Sequence, residues 1–304
     1  MSFHTGLDIG GTKIAGAVFG RDGLEISQAV LPTPHDYTEF LIACRTIVDD
    51  LDRLCGGRAT VGIGIPGVID REKDNIFAPN VPCLQGHTFQ ADITRILNRP
   101  VAIGNDASCA SLSEAVDGAG AGHHIVFGVI MGTGVGGGMA VDGKMVDGPH
   151  GLTGEWGHLP LPYRDEKDGA IVACGCGQRG CIDKTISGPA LSRLFSAATG
   201  QNIEASQIGA LASGGDLIAR QVLDQFYSTV AKAMVTIIHG FDPNVIVVSG
   251  GLSSLPGLYA EVPKRWEVYA VRKNLRTRLL PATHGTLTGL RGAAWLGSAK
   301  AQCL

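Results

Sequence analysis

Charge is scarce in this chain. Only 17% of its 304 residues are Asp, Glu, Lys or Arg, and the net charge is −3. Such a balance gives no electrostatic footprint for nucleic acid or for an anionic membrane surface. Long apolar runs are missing too: none approaches the roughly 18 residues of a membrane-spanning helix. The N-terminus lacks the basic region and apolar stretch of a secretory leader. A disulfide framework is also absent, because Cys44, Cys55, Cys83, Cys109 and Cys303 are scattered and odd in number, which suits a reducing compartment. These absences point to a soluble, cytoplasmic protein. What is plentiful is apolar residues, at 44%, and glycine, with 44 residues. Glycine at that level, without collagen-like period, marks turns and loops where backbone must approach something closely. A chain of 304 residues is past the size at which one core keeps growing, so two lobes are expected.

The other three cysteines share the segment Cys174-Gly175-Cys176-Gly177-Gln178-Arg179-Gly180-Cys181, and His158 stands upstream in Gly154-Glu155-Trp156-Gly157-His158. Three thiolates and one imidazole form the Cys₃His set that closes a tetrahedral zinc site. Four protein ligands leave no open position for water, so the expected role of the ion is structural. The spacing C-x-C-x₄-C differs from paired C-x₂-C knuckles. The alternative is a Gly-rich loop with three buried cysteines. Glu155 makes the choice matter, since a metal here would anchor a loop that carries chemistry.

Strands are expected at 6–9 and 14–19, joined by the tip Gly10-Gly11-Thr12-Lys13. Asp36 with Glu39 is a capping box, and Phe40, Cys44, Ile47, Val48, Leu51 and Leu54 follow at helical spacing. Buried strands are expected at 61–65 and 101–103, the second ending at Asn105-Asp106 before a helix over 107–115. The second half repeats the pattern, with a strand at 124–131, a glycine tip at 132–138 and a strand at 139–141. A long helix over 216–239, a strand at 244–248 ending at Ser249-Gly250-Gly251, and a closing helix from 289 complete it. Strands alternating with helices predict α/β architecture. Two glycine-tipped hairpins, each opening one half, predict a duplicated fold with a cleft. Its lobes would be 1–118, completed by the closing helix 289–304, and 119–288, with the zinc loop.

Both tips have the composition of phosphate cradles, where backbone N–H groups converge on anionic oxygens. Thr12 and Thr133 add hydroxyls, Lys13 a charge, and Asp8 a carboxylate suited to magnesium held through water. Neither tip matches the Walker pattern, and neither opens a helix as a dinucleotide fingerprint would. Taken singly, each is equally readable as a tight hairpin turn. Asp106 has two readings as well: a general base for a hydroxyl attacking a phosphoryl group, or the N-cap of the following helix.

Asp8-x-Gly-Gly-Thr-Lys, Gly64-Ile65-Pro66-Gly67, Asn105-Asp106-Ala107, Gly132-Thr133-Gly134-x-Gly-Gly-Gly, Glu155-x-Gly-His158, the Cys174–Cys181 segment and Gly250-Gly251 occur in this order. That succession, across essentially the whole chain, resembles the ROK family of sugar kinases and regulators. The resemblance implies a duplicated, ribonuclease-H-like (actin-like ATPase) fold that binds sugar and ATP with Mg²⁺. It implies Asp106 as the catalytic base, and Gly67, Asn80, Asn105, Glu155 and His158 as sugar-binding. Asp8, Gly10, Gly11, Thr12, Lys13, Gly132, Thr133, Gly134, Gly250 and Gly251 would hold ATP, and a homodimer is common in the family. Asp183 stands where the family usually has a glutamate that contacts the sugar. One methylene shorter, it is expected to alter affinity or sugar preference. Family repressors carry a DNA-binding domain before the first strand, for which this chain leaves no room, so a kinase is expected rather than a regulator or a non-catalytic sensor.

The sugar is read from two sets of segments. Ala78-Pro79-Asn80-Val81-Pro82 and Gly134-Val135-Gly136-Gly137-Gly138 resemble the family's N-acetylglucosamine kinases. Ser113-Glu114-Ala115-Val116-Asp117-Gly118 and 155–162 resemble its fructokinases, which also accept mannose. The first set lies nearer the expected sugar pocket. The resemblance therefore implies phosphorylation of N-acetyl-D-glucosamine at its 6-hydroxyl, with fructose, mannose or glucose as alternatives.

Overall fold

A computed structural model describes residues 2–70 and 74–302. Cys303 and the end of the expected closing helix lie outside the described residues. The chain opens with β1 (His4–Ile9), β2 (Lys13–Phe19) and β3 (Glu25–Pro32), followed by α1 (Tyr37–Cys55) and β4 (Thr60–Ile65). A small hairpin of β5 (Val68–Asp70) and β6 (Asn75–Phe77), then α2 (Phe89–Leu97), β7 (Val101–Asn105) and α3 (Asp106–Asp117), complete the first run. The second run holds β8 (Ile125–Met131), β9 (Val135–Val141), β10 (Lys144–Met145), α4 (Gly188–Thr199), α5 (Ala205–Ser213) and α6 (Leu217–Phe241). It ends with β11 (Val245–Ser249), α7 (Leu258–Tyr269), β12 (Arg278–Pro281) and α8 (Thr288–Gln302).

Two five-stranded sheets share one plan, β3-β2-β1-β4-β7 and β10-β9-β8-β11-β12. In the first, β1 pairs antiparallel with β2 and parallel with β4, which is parallel to β7. In the second, β11 is parallel to both β8 and β12. The repeat of order is the duplication read from the two glycine tips. Contacts divide the chain into one unit of Met1–Gly122, Gly138–Thr153 and Thr283–Leu304, and another of His123–Gly137 and Gly154–Ala282.

In the first unit the N-cap half of the expected capping box forms: Asp36 Oδ1 accepts the Glu39 N–H at 2.9 Å. Phe40, Cys44, Ile47, Val48 and Leu51 of α1 are buried with Leu7, Ile63 and Ile103 of the sheet. Leu54, in the last turn of the same stripe, is 61% exposed. Helix α8 covers the sheet's other face at backbone distance. A Cβ on Gly62 of β4 would lie 1.9 Å from the Ala293 carbonyl oxygen, and one on Gly292 would lie 1.7 Å from that of Cys109. Only glycine permits that approach. Glu114 of α3 is buried and accepts the N–H groups of Ala119, Thr283 and His284, while Asp117 pairs with Arg291 of α8. Among the described residues, no helix is long and apolar enough to cross a membrane.

The second tip is shorter than its composition suggests. Gly136, Gly137 and Gly138 belong to β9 rather than to the turn, which leaves 132–134 as the tip. Gly137 is present for packing: a Cβ there would lie 2.5 Å from the Gly128 carbonyl oxygen and 2.9 Å from Trp156 Nε1.

Candidate active site

The first unit gathers nine of the residues singled out in the sequence: Asp8, Gly10, Gly11, Thr12, Lys13, Gly67, Asn80, Asn105 and Asp106. Asp8 is near the end of β1, and the tip after it is held by the Gly10 N–H to the Lys13 carbonyl at 2.9 Å and by Thr33 Oγ1 to the Gly10 carbonyl at 2.7 Å. Gly11 sits so close to Asn80 that a Cβ would be 2.4 Å from the Asn80 carbonyl oxygen. Gly67 has φ +122°, a conformation that disfavours any side chain. Its carbonyl accepts Nδ2 of Asn105 at 3.0 Å.

Asn105, not Asp106, caps the helix that follows, α3: its Oδ1 accepts the N–H groups of Ala107 and Ser108 at 2.9 and 3.1 Å. Asp106 is the first helical residue, with Oδ1 accepting the Ala107 N–H at 2.8 Å. Burial pushes its carboxyl above the ordinary range, against the pull of backbone N–H groups. Asp8 is pushed up to about 6, first by burial and then by the Asp106 charge, with Lys13 pulling the other way. The unit therefore holds two desolvated carboxylates that feel one another. Such groups cluster where proton transfer or cation binding is done. Sequence reasoning missed Gly289 at the start of α8, whose Cβ would lie 3.5 Å from Asp8 Oδ2.

The second unit gathers the rest. A ligand atom from each of His158, Cys174, Cys176 and Cys181 lies within 4.8 Å of the others. Cys174 Sγ is 3.5 Å from His158 Nδ1, and Cys176 Sγ is 3.6 Å from Cys181 Sγ. Ligands about 2.3 Å from a tetrahedral ion stand about 3.8 Å apart, so the donor set fits zinc in both chemistry and spacing. The Gln178 N–H, the main influence, helps to hold the Cys176 thiol below its ordinary range, while burial pushes the Cys181 thiol up to about 12. Backbone bonds from Leu161 to Gly180 and from Ile182 to Leu159 fasten the histidine segment to the cysteine segment. His158 Nε2, the nitrogen not facing the cysteines, is 3.6 Å from Glu155 Oε2. Trp156, between them in sequence, is buried and donates to the Gly136 carbonyl at 3.0 Å, which seats the Glu155–His158 turn on β9.

The tip 132–134 is closed by the Gly132 N–H to the Gly134 carbonyl at 2.9 Å, with Thr133 exposed. Pairing of Ser249 with Ile130 brings the following Gly250 and Gly251 beside this end of β8. Asp183 is 8% exposed, and its Oδ1 accepts the Val135 N–H at 2.7 Å. Sequence reasoning missed Lys184, whose Nζ is 2.8 Å from Asp183 Oδ2, and Gly188, whose N–H is bonded to the Gly132 carbonyl.

Paired sheets of identical order, each opening on a glycine tip, are the build of the actin-like ATPase fold. Solved structures of the same build include sugar kinases. A ROK hexokinase from Thermus thermophilus matches with a TM-score of 0.86 and 30% identity, over 99% of this chain and 100% of that one. A ROK family glucokinase from Streptomyces griseus, solved with glucose and AMPPNP, matches with a TM-score of 0.76 and 29% identity, over 98% and 100%. The chain belongs to the ROK family, whose profile it matches over residues 4–300. An N-acetyl-D-glucosamine kinase from Yersinia pseudotuberculosis serotype O:1b (strain IP 31758) is 39% identical over 299 residues, covering 96% of this chain and 98% of that one.

Proposed function

We propose that this chain transfers the γ-phosphoryl group of ATP to the 6-hydroxyl of N-acetyl-D-glucosamine. The observation that carries the chemistry is Asp106: Asn105 takes over capping, and the Asp106 carboxylate is left desolvated at a helix start. It accepts the 6-hydroxyl proton as the sugar oxygen forms its bond to phosphorus and the bond to ADP breaks. A base with a raised pKa is better matched to that task near neutral pH. Gly67, Asn80, Asn105, Glu155 and His158 hold the sugar. Backbone N–H groups of both tips, with Thr12, Lys13, Thr133, Gly250 and Gly251, hold the phosphates and the rest of the nucleotide. Asp8 holds the magnesium of MgATP through water, and that ion supplies charge neutralisation for the phosphoryl oxygens. The remaining work of these residues is positioning and charge stabilisation.

His158, Cys174, Cys176 and Cys181 would hold a structural zinc ion, which would fix the loop that bears Glu155. The choice of sugar rests on the N-acetyl-D-glucosamine kinases that align along almost the whole chain. The fructokinase-like segment 113–118 carries less weight, because Glu114 and Asp117 are engaged with Thr283, His284 and Arg291. The same reading takes the enzyme to be a cytoplasmic homodimer, a state that sedimentation or light scattering checks.

The test is an ADP-release assay with MgATP over N-acetylglucosamine, N-acetylmannosamine, glucose, mannose and fructose. N-acetylglucosamine should lead in kcat/KM by about tenfold, or about 1.4 kcal/mol of transition-state preference. A lead by fructose or mannose would overturn the sugar assignment, and no turnover of any sugar would overturn the kinase reading.

A further inference from the structure

Asp183 has both carboxylate oxygens engaged inside its own unit. Oδ1 accepts the Val135 N–H at 2.7 Å. Oδ2 is 2.8 Å from Lys184 Nζ and 3.9 Å from Cys174 Sγ. A Cβ on Gly134 would stand 2.9 Å from Oδ1, so the carboxylate lies directly against the tip 132–134. The other end of that tip is held from the same stretch of chain, by the Gly188 N–H to the Gly132 carbonyl at 2.8 Å.

We infer that Asp183 is a positioning residue for the nucleotide tip rather than a sugar ligand, tying the tip to the metal-binding segment through Val135. The inference rests on the proposed function only in taking 132–134 as a phosphate cradle. Its logic is steric as well as polar. A carboxylate that reaches the Val135 N–H on an aspartate stem would, on a glutamate stem, carry one more methylene into the space beside Gly134. The Lys184 ammonium turns the second oxygen away from solvent and neutralises its charge beside the phosphate-binding turn. Asp183 follows Cys181 by two residues, so its bond to the Val135 N–H makes the metal loop and the nucleotide tip one mechanical piece.

The experiment compares wild type with Asp183→Ala, Asp183→Asn and Asp183→Glu, reading the Kd of a fluorescent ADP analogue and the separate KM values for MgATP and sugar. Asp183→Ala should weaken nucleotide binding about tenfold or more and raise KM for MgATP much further than KM for sugar. Asp183→Asn, which keeps a carbonyl oxygen for the Val135 N–H, should restore the nucleotide Kd to within about threefold of wild type. Asp183→Glu should weaken the nucleotide by crowding the tip, and this arm decides the matter if the alanine variant does not fold. A raised sugar KM with an unchanged nucleotide Kd, in either the alanine or the glutamate variant, would overturn the inference. A wild type that binds the ADP analogue but phosphorylates no sugar would sink the sugar-kinase reading while these variant Kd values still decide the role of Asp183. A wild type that binds no nucleotide would overturn both.

Discussion

Replacing Asp8 by Asn should make the ligand-free protein more stable while crippling turnover. Burial and the neighbouring Asp106 charge push the Asp8 carboxyl from its ordinary 3.8 to about 6. At 1.36 kcal/mol per pH unit, that displacement corresponds to about 3 kcal/mol. The sign follows from proton linkage. The folded carboxyl holds its proton more tightly than the unfolded one, so the native state is penalised as pH rises from about 4 to about 6. Above that range the penalty is complete. Asparagine has the same shape and carries none of it. The gain from Asp8→Asn should be about 3 kcal/mol at pH 8, about half of that at pH 5, and absent below about pH 4. For a chain of this length, unfolding entropy converts about 3 kcal/mol into a rise in Tm of about 5 °C. Thermal melts at pH 8 and pH 5, without magnesium or nucleotide, measure it, and an ADP-release assay follows the accompanying loss of activity. A variant less stable than wild type at pH 8, or a gain of equal size at both pH values, would refute the argument from burial and repulsion.

Asp106→Asn should lower kcat by about 10²–10⁴ while calorimetry still detects sugar binding; turnover near the wild-type rate would remove Asp106 from the role of base. Since burial raises that carboxyl, the acid limb of kcat/KM should lie above the ordinary carboxylate range, and a limb at or below about pH 4 would contradict it. Elemental analysis should find close to one zinc per chain, and Cys176→Ser should lose the metal and lower Tm. Gly292→Ala places a Cβ 1.7 Å from the Cys109 carbonyl oxygen and should cost about 3 kcal/mol, the upper end of the usual overpacking range. Gly240→Ala, late in α6 with nothing within 4 Å of its Cβ, should be neutral or stabilising by up to about 1 kcal/mol; matching Tm shifts in the two variants would contradict the packing account.

Local chemistry was the legible part of this chain. Asp36 and Glu39 announce α1 because a cap is a bond between residues three apart. The hairpins, the buried strands at 61–65 and 101–103, and α6 follow from periodicity and from glycine at the turns. The Cys₃His set is legible from donor type alone, although His158 and Cys174 are brought together by folding. Long-range partnership was not legible. Glu114 and Asp117 look like surface acids of a helix until Thr283, His284 and Arg291 arrive from far along the chain. Gly136–Gly138 read as turn because composition does not distinguish a glycine needed for a bend from one needed for close packing. Either Asn105 or Asp106 can cap a helix, and only the backbone conformation at Asn105 assigns the task. The orientation of Asp183 depends on Val135 and Lys184, and a motif gives no direction for a side chain.

The contact of α8 with β1 and β4 bears on how the molecule is made. Gly6 and Gly62 present bare backbone to Leu290, Ala293 and Gly297, and Ala17 and Phe19 share a buried cluster with Leu290 and Ala294. A ribosome delivers the opening strands some 280 residues before the helix that seals them. At about 5–20 residues per second, that is an interval of tens of seconds. During it the nascent first sheet has one face without its cover, while the whole second unit is translated and can fold first. Chaperone dependence and aggregation of this protein should therefore track events at residues 283–302 more closely than events in the strands they protect.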